Sequence, residues 1–203
     1  MLLYEPVTDL ARPIVATFDG AVERLRIRLA GMTDDEYFWE PVAGCWSLRP
    51  NSDGHWRLDG GGGGGGPPPN PVPVTTIAWR IGHIAGTVAG FTDRRFSHGL
   101  LVAEELGFPS NADATASFLA ERCRDWRDAL GALDRESWVA PLGPRFGPFA
   151  EATTVDLALH VLDEVIHHAA EVGVLRDLWS ADARRWMPLG RGHGRRTTPG
   201  ARR

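Results

Sequence analysis

The chain has 203 residues, 43% of them hydrophobic, with eight Trp and eight Phe; that apolar bulk excludes a wholly disordered chain. With a tail and an insertion set aside, it leaves roughly 150 to 160 residues for one domain with one core. All 22 basic residues are Arg, and seven of them fall in residues 180–203 against Asp182, a local balance of +6 that leaves −10 on the remainder of a chain whose formal charge is −4. A folded part this acidic excludes nucleic acid as the main partner. Cys45 and Cys123 form no CxxC pattern, the N-terminus shows neither a basic n-region nor an apolar h-region, and no apolar run approaches the roughly 18 residues that span a bilayer. The expectations are a cytoplasmic protein and no membrane partner.

Residues 8–30 place Ile14, Phe18, Ala21, Val22, Leu25 and Leu29 at helical spacing, with Thr8 or Asp9 as N-cap and Pro13 early enough to be tolerated. In MTDDEYFWEPVAGCWSLRP, Thr33, Asp34 and Asp35 can open a short helical turn that Pro41 stops, and Trp39 and Trp46 can cover one end of a bundle. Asn51 to Pro73 contains seven consecutive Gly and three consecutive Pro, which cannot form a packed element, so 51–73 reads as a flexible insertion. A second long helix is expected from about Thr75 to Phe96. Arg80 is its only charged residue before Asp93, which predicts burial on most sides. Gly82, Gly86 and Gly90 recur beside His83; such a strip admits a close backbone neighbour or leaves room for a ligand.

Asn111 to Leu130 reads as a third helix, capped by Asn111 or Asp113, with Phe118, Leu119, Cys123, Trp126 and Leu130 on its apolar face. A fourth runs from about Thr154 to Trp179, and the tail from 180 reads as disordered. Four long helices without a convincing alternating strand predict an all-α four-helix bundle over residues 1–179.

On the fourth helix Glu164 and His168 stand at i and i+4, where side chains meet. An apolar arc centred on Leu162 takes in Val155, Leu157, Leu159, Val161, Val165, Ile166, Ala169, Val172 and Leu175, with His168 inside it and Glu164 at its margin. Asp163 and His167, with the same spacing, fall on the polar side. His83 supplies a third candidate, its inward orientation argued from the low polarity of its helix. Two His and one carboxylate leave a coordination position open on a divalent ion. His160 and Glu171 flank Glu164 around the wheel and can orient a ligand. The competing interpretation is a structural bundle in which His83 and His168 are hydrogen-bonded core residues.

The segments DDEYFWEPVAGCWSLRP, TTIAWRIGHIAG and LALHVLDEVIHHAAEVGVLRDLW, in this order and at these separations, resemble the DinB-like superfamily, in particular its branch near the mycothiol-dependent maleylpyruvate isomerases and mycothiol S-transferases. The resemblance covers most of residues 8–179. It implies up-down-down-up topology, a homodimer, and a divalent metal held by a His of the second helix and two residues one turn apart on the fourth, which here are His83, Glu164 and His168. Many members carry His at the middle position; Glu164 matches the thiol-dependent isomerases and lowers the site's charge by one. The isomerases carry an added C-terminal domain, and nothing after Ser180 reads as one, so isomerase activity is not expected.

The function this implies is a metal-dependent enzyme that presents a low-molecular-weight thiol of the mycothiol type to an electrophile. The alternative is a non-catalytic or stress-related metal-binding bundle. Zinc suits the donor set, and nickel, iron and manganese are tolerated by it. No general base is assigned, with His160 and His167 the available titrating groups.

Overall fold

The computed structural model describes residues 10–63 and 69–186. Helix α1 (Ala11–Leu29) buries Ile14, Phe18, Ala21, Leu25 and Leu29, the predicted spacing. It begins at Leu10 without a side-chain cap, and the expected caps Thr8 and Asp9 lie outside the described residues. A turn of helix, α2 (Asp34–Tyr37), starts where Thr33 Oγ1 accepts the Glu36 N–H at 3.3 Å, which satisfies one of the free amides of a helix start.

Thr76 caps α3 (Ile77–Phe96), and Asn111, rather than Asp113, caps α4 (Ala112–Gly131) by accepting the Ala114 N–H at 2.9 Å. A short α5 (Arg135–Val139) leads to α6 (Thr154–Trp186). At its start Thr153 Oγ1 accepts from Asp156 N while Asp156 Oδ2 accepts from Thr153 N, a reciprocal cap. The helix does not stop at Trp179: it continues through Ser180 to Trp186, so the expected tail begins as helix. Residues 187–203 lie outside the described residues. Among the described residues no helix is long and apolar enough to cross a membrane.

Contacts between the helices fix their directions. Arg28, at the end of α1, reaches Gly173 O and Asp177 late in α6, so these two run parallel. Arg95, at the end of α3, bonds Thr154 at the start of α6, which makes α3 and α6 antiparallel. Phe96 at the end of α3 packs on Trp126 late in α4, ring centroids 5.7 Å apart, while Leu106 of the connecting segment returns to Gly86 at the middle of α3, before α4 begins; α3 and α4 are therefore parallel. Each of the four long helices packs on two of the other three, in the ring α1, α4, α3, α6. The result is the all-α up-down-down-up bundle, with Phe18, Leu25, Ile81, Val88, Leu130, Val161 and Val165 in its core.

Within the expected insertion 51–73, residues 64–68 lie outside the described residues, and the part before them carries regular structure. Strands β1 (Leu48–Pro50) and β2 (Trp56–Leu58) form an antiparallel hairpin pairing Leu48 with Leu58, and a 3-10 turn (Asp59–Gly63) follows. Asn51 Oδ1 shapes the hairpin turn by accepting from Asp53 N and His55 N. Asp59 then holds the corner: its carboxylate accepts from Ser47 N and Arg49 Nε, and its carbonyl from Trp79 Nε1 at 2.9 Å. Strands of three residues are too short to show alternation, and the neighbouring Gly run hides them. The first Gly of that run has a packing reason. Gly60 sits at φ +66°, and a Cβ there would lie 2.5 Å from the Trp46 ring, so glycine alone fits.

The glycine strip of α3 is likewise covered by side chains rather than by another helix backbone. A Cβ at Gly82 would lie 2.7 Å from Leu58 Cδ2, and one at Gly86 would touch Leu106 and Phe108, whereas Gly90 faces open space. Trp46 packs on Trp79 and Trp39 on Trp179, as aromatic covers for the bundle end.

On α6 the expected arc is corrected. Leu159 and Ile166 are exposed, and the buried face is Leu157, Ala158, Val161, Leu162, Val165, Val172 and Leu175. At 100° per residue its centre lies near Val161 and Val172, roughly 80° round from Leu162. The displacement arises because α6 packs on both α1 and α3. It also brings the edge carrying Glu164, His168 and Glu171 against α3.

Candidate metal centre

Two antiparallel helices bring the three sequence candidates together. His83 of α3 lies opposite Glu164 and His168 of α6. His83 Nε2 is 3.2 Å from Glu164 Oε2, and His168 Nε2 is 3.3 Å from the same oxygen. The two imidazoles meet edge to face with centroids 4.6 Å apart, and one donor atom from each of the three residues lies within 4.8 Å of the others. His83 is fixed from behind by Trp79, one turn earlier, whose ring stacks on it at 5.1 Å and 6°.

Both imidazoles are largely buried, with side-chain exposures of 13% for His83 and 12% for His168. Burial works to raise the pKa of Glu164, but the His83 hydrogen bond and the nearby charges of His168, His83 and His160 outweigh it and hold the carboxyl below its ordinary value. Glu164 is therefore an anion at neutral pH, as a ligand carboxylate has to be.

A carboxylate behind His168 fixes its ring. His168 Nδ1 lies 2.6 Å from Glu171 Oε2 and 3.1 Å from the NH1 group of Arg80, a donor in the first contact and an acceptor in the second, so both partners hold the ring from the Nδ1 side while Nε2 faces His83 and Glu164. Glu171 is the outer partner that metal-bound imidazoles require. Glu171 is in turn paired with Arg80 of α3, whose Nε lies 3.0 Å from Glu171 Oε2 as an ion pair without hydrogen-bond geometry. Burial works to raise the Glu171 pKa, yet the His168 hydrogen bond and the Arg80 charge win and lower it. Two imidazole nitrogens and a carboxylate oxygen, converging from two helices with one ring oriented from outside, fit a divalent cation.

Residues 17–172 match the family model of the DinB superfamily. The chain belongs to that superfamily. No curated protein and no solved structure matches it.

Other sequence candidates of this DinB-superfamily chain take different places. His160 packs edge-on against Phe91, centroids 5.5 Å apart, and acts on Glu164 through its charge. Asp163 is exposed and His167 is 62% exposed, so this second pair faces outward as its position on the wheel implies. Arg80 is the participant that the sequence reading missed. Its signal was present: the one charge in the first four turns of a low-polarity helix, three residues before His83, needs a buried anion to face.

Neither cysteine is available as a nucleophile. Cys45 is buried with its thiol 2.9 Å from Val42 O, and burial pushes the Cys123 thiol up to about 12, far from the thiolate state that reacts.

Proposed function

We propose that this protein is a divalent-metal-dependent enzyme that transfers a low-molecular-weight thiol, of the mycothiol type, to a small electrophile. The observation that carries this reading is the convergence of His83 Nε2 and His168 Nε2 on Glu164 Oε2 at 3.2 and 3.3 Å. A bound divalent ion would supply a Lewis acid that favours thiolate over thiol at neutral pH.

The chain's own residues hold and orient. His83 is locked by Trp79, His168 by Glu171, and Glu164 offsets part of the ion's charge from the α6 side. With Cys45 and Cys123 both buried, the reacting sulfur has to arrive as a substrate, which supports a thiol co-substrate over a covalent cysteine mechanism. Zinc heads the candidate ions, with nickel, iron and manganese also compatible with two nitrogens and an oxygen.

Zinc-loaded protein incubated with mycothiol or bacillithiol and monochlorobimane is expected to form conjugate above the uncatalysed rate, and Glu164→Gln to abolish the excess. Absence of conjugate with every thiol tried would remove the transferase reading. The second reading, a metal-binding bundle without turnover, draws on the same residues, because His83 and Glu164 would tie α3 to α6 through one ion. It predicts a rise in Tm on zinc addition and no conjugate.

A further inference from the structure

His168 belongs to two donor clusters at once. Its Nε2 faces Glu164 and His83, while its Nδ1 faces Glu171, whose other oxygen is 3.6 Å from His167 Nε2. A neutral imidazole has one nitrogen with a free lone pair and one that carries the proton. A neutral His168 can therefore serve only one of the two clusters, and they are alternatives.

Arg80 already sits on the second of them. Its Nε is 3.0 Å from Glu171 Oε2, and its NH1 group is 3.1 Å from His168 Nδ1. The side chain is 15% exposed, and the guanidinium lies 5.1 Å from the centre of the Trp79 ring, so its position is set by packing as well as by charge.

The geometry points to a selector: the Arg80–Glu171 ion pair decides which cluster takes the ion. It fills the His167, His168 and Glu171 cluster with a fixed positive charge that engages both His168 Nδ1 and Glu171 Oε2, so that Nε2 is the imidazole nitrogen left to face His83 and Glu164. Arg80 and Glu171 are thus positioning residues. The inference rests on the metal reading of the first cluster and adds a way in which this chain chooses between two donor sets built on one imidazole.

The test is Co²⁺ binding to the full chain by equilibrium dialysis with elemental analysis. In the wild-type background His83→Ala is expected to lower affinity at least about 100-fold, beyond the usual cost of losing an outer partner, and His167→Ala to leave it unchanged. Arg80→Met keeps the stem on Trp79 and removes the charge. In that background His83→Ala is expected to cost less than about tenfold, because the ion moves to the other cluster, and adding His167→Ala abolishes the recovered binding. Arg80→Lys restores the dependence on His83. Circular dichroism checks that each variant is folded, and Arg80→Gln carries the same test should Arg80→Met not fold.

If Arg80→Met/His83→Ala binds as poorly as His83→Ala alone, the selector is overturned while the metal reading stands. Wild-type protein that binds no Co²⁺, or binds it equally after His83→Ala, overturns both.

Discussion

Glu36→Ala is expected to lower the unfolding free energy by about 3–5 kcal/mol, as breaking one side of a buried ion pair does, and Tm by on the order of 10 °C. Glu36 is 4% exposed in its side chain and Arg176 18%. The pair is bidentate: Arg176 Nε donates to Glu36 Oε1 at 2.6 Å and the NH2 group to Oε2 at 3.0 Å. The remaining NH1 group donates to Arg28 O and Ala30 O at the end of α1. One guanidinium thus joins α6 to the corner between α1 and α2. Removing Glu36 leaves that buried cation facing carbonyl oxygens alone, and the desolvation cost of the charge is then no longer offset. Arg176 stands on the same helix as Glu164, His168 and Glu171, so this contact also fixes α6 along its axis relative to its neighbours. Urea denaturation of Glu36→Ala against Glu23→Ala measures the effect. Glu23 pairs with Arg26 at the surface, where screening makes such pairs nearly neutral, and its removal should leave the midpoint unchanged. Equal midpoints for the two variants would contradict the role given to Glu36.

The second large effect concerns the candidate centre. Glu164→Gln keeps the size of the side chain and removes its charge, and it is expected to weaken Zn²⁺ binding at least about 100-fold, since a charged ligand is lost rather than an outer partner. Asp163→Asn, one residue earlier on the exposed side of α6, should bind Zn²⁺ like wild type. Competition with a chromogenic chelator gives both affinities. Trp79, stacked on His83, provides an independent fluorescence signal for an ion arriving beside that imidazole. Equal losses from the two substitutions would mean that the wrong carboxylate has been assigned.

The helices were legible because their signals are local. Ile14, Phe18, Leu25 and Leu29 announce the buried face of α1, and Thr33 and Asn111 are caps by side-chain chemistry. The pairing of Glu164 with His168 was legible for the same reason, being one turn of one helix. What the sequence hid is tertiary. The hairpin of Leu48–Pro50 with Trp56–Leu58 is held by Asp59 and by the fit of Leu58 over Gly82, neither of which has a periodic signature. The exposure of Leu159 and Ile166 follows from which two helices flank α6, and a wheel drawn for one helix alone carries no such information. Arg80 was invisible as a partner of Glu171 because their juxtaposition needs α3 and α6 to run antiparallel with Arg80 one turn before His83. His83 was legible from the low polarity of its helix, and the motif resemblance added its match to a ligand position; its Nε2 lies 3.2 Å from Glu164 Oε2.

The most direct measurement is metal content by elemental mass spectrometry on protein purified without an affinity tag, for wild type, His83→Ala and His168→Ala. Close to one equivalent of a divalent metal in the wild type, lost in both variants, is the predicted result. A wild type that stays empty after reconstitution with Zn²⁺, Ni²⁺, Fe²⁺ and Mn²⁺, or metal retained in both variants, would contradict the assignment of His83, Glu164 and His168 as a metal centre.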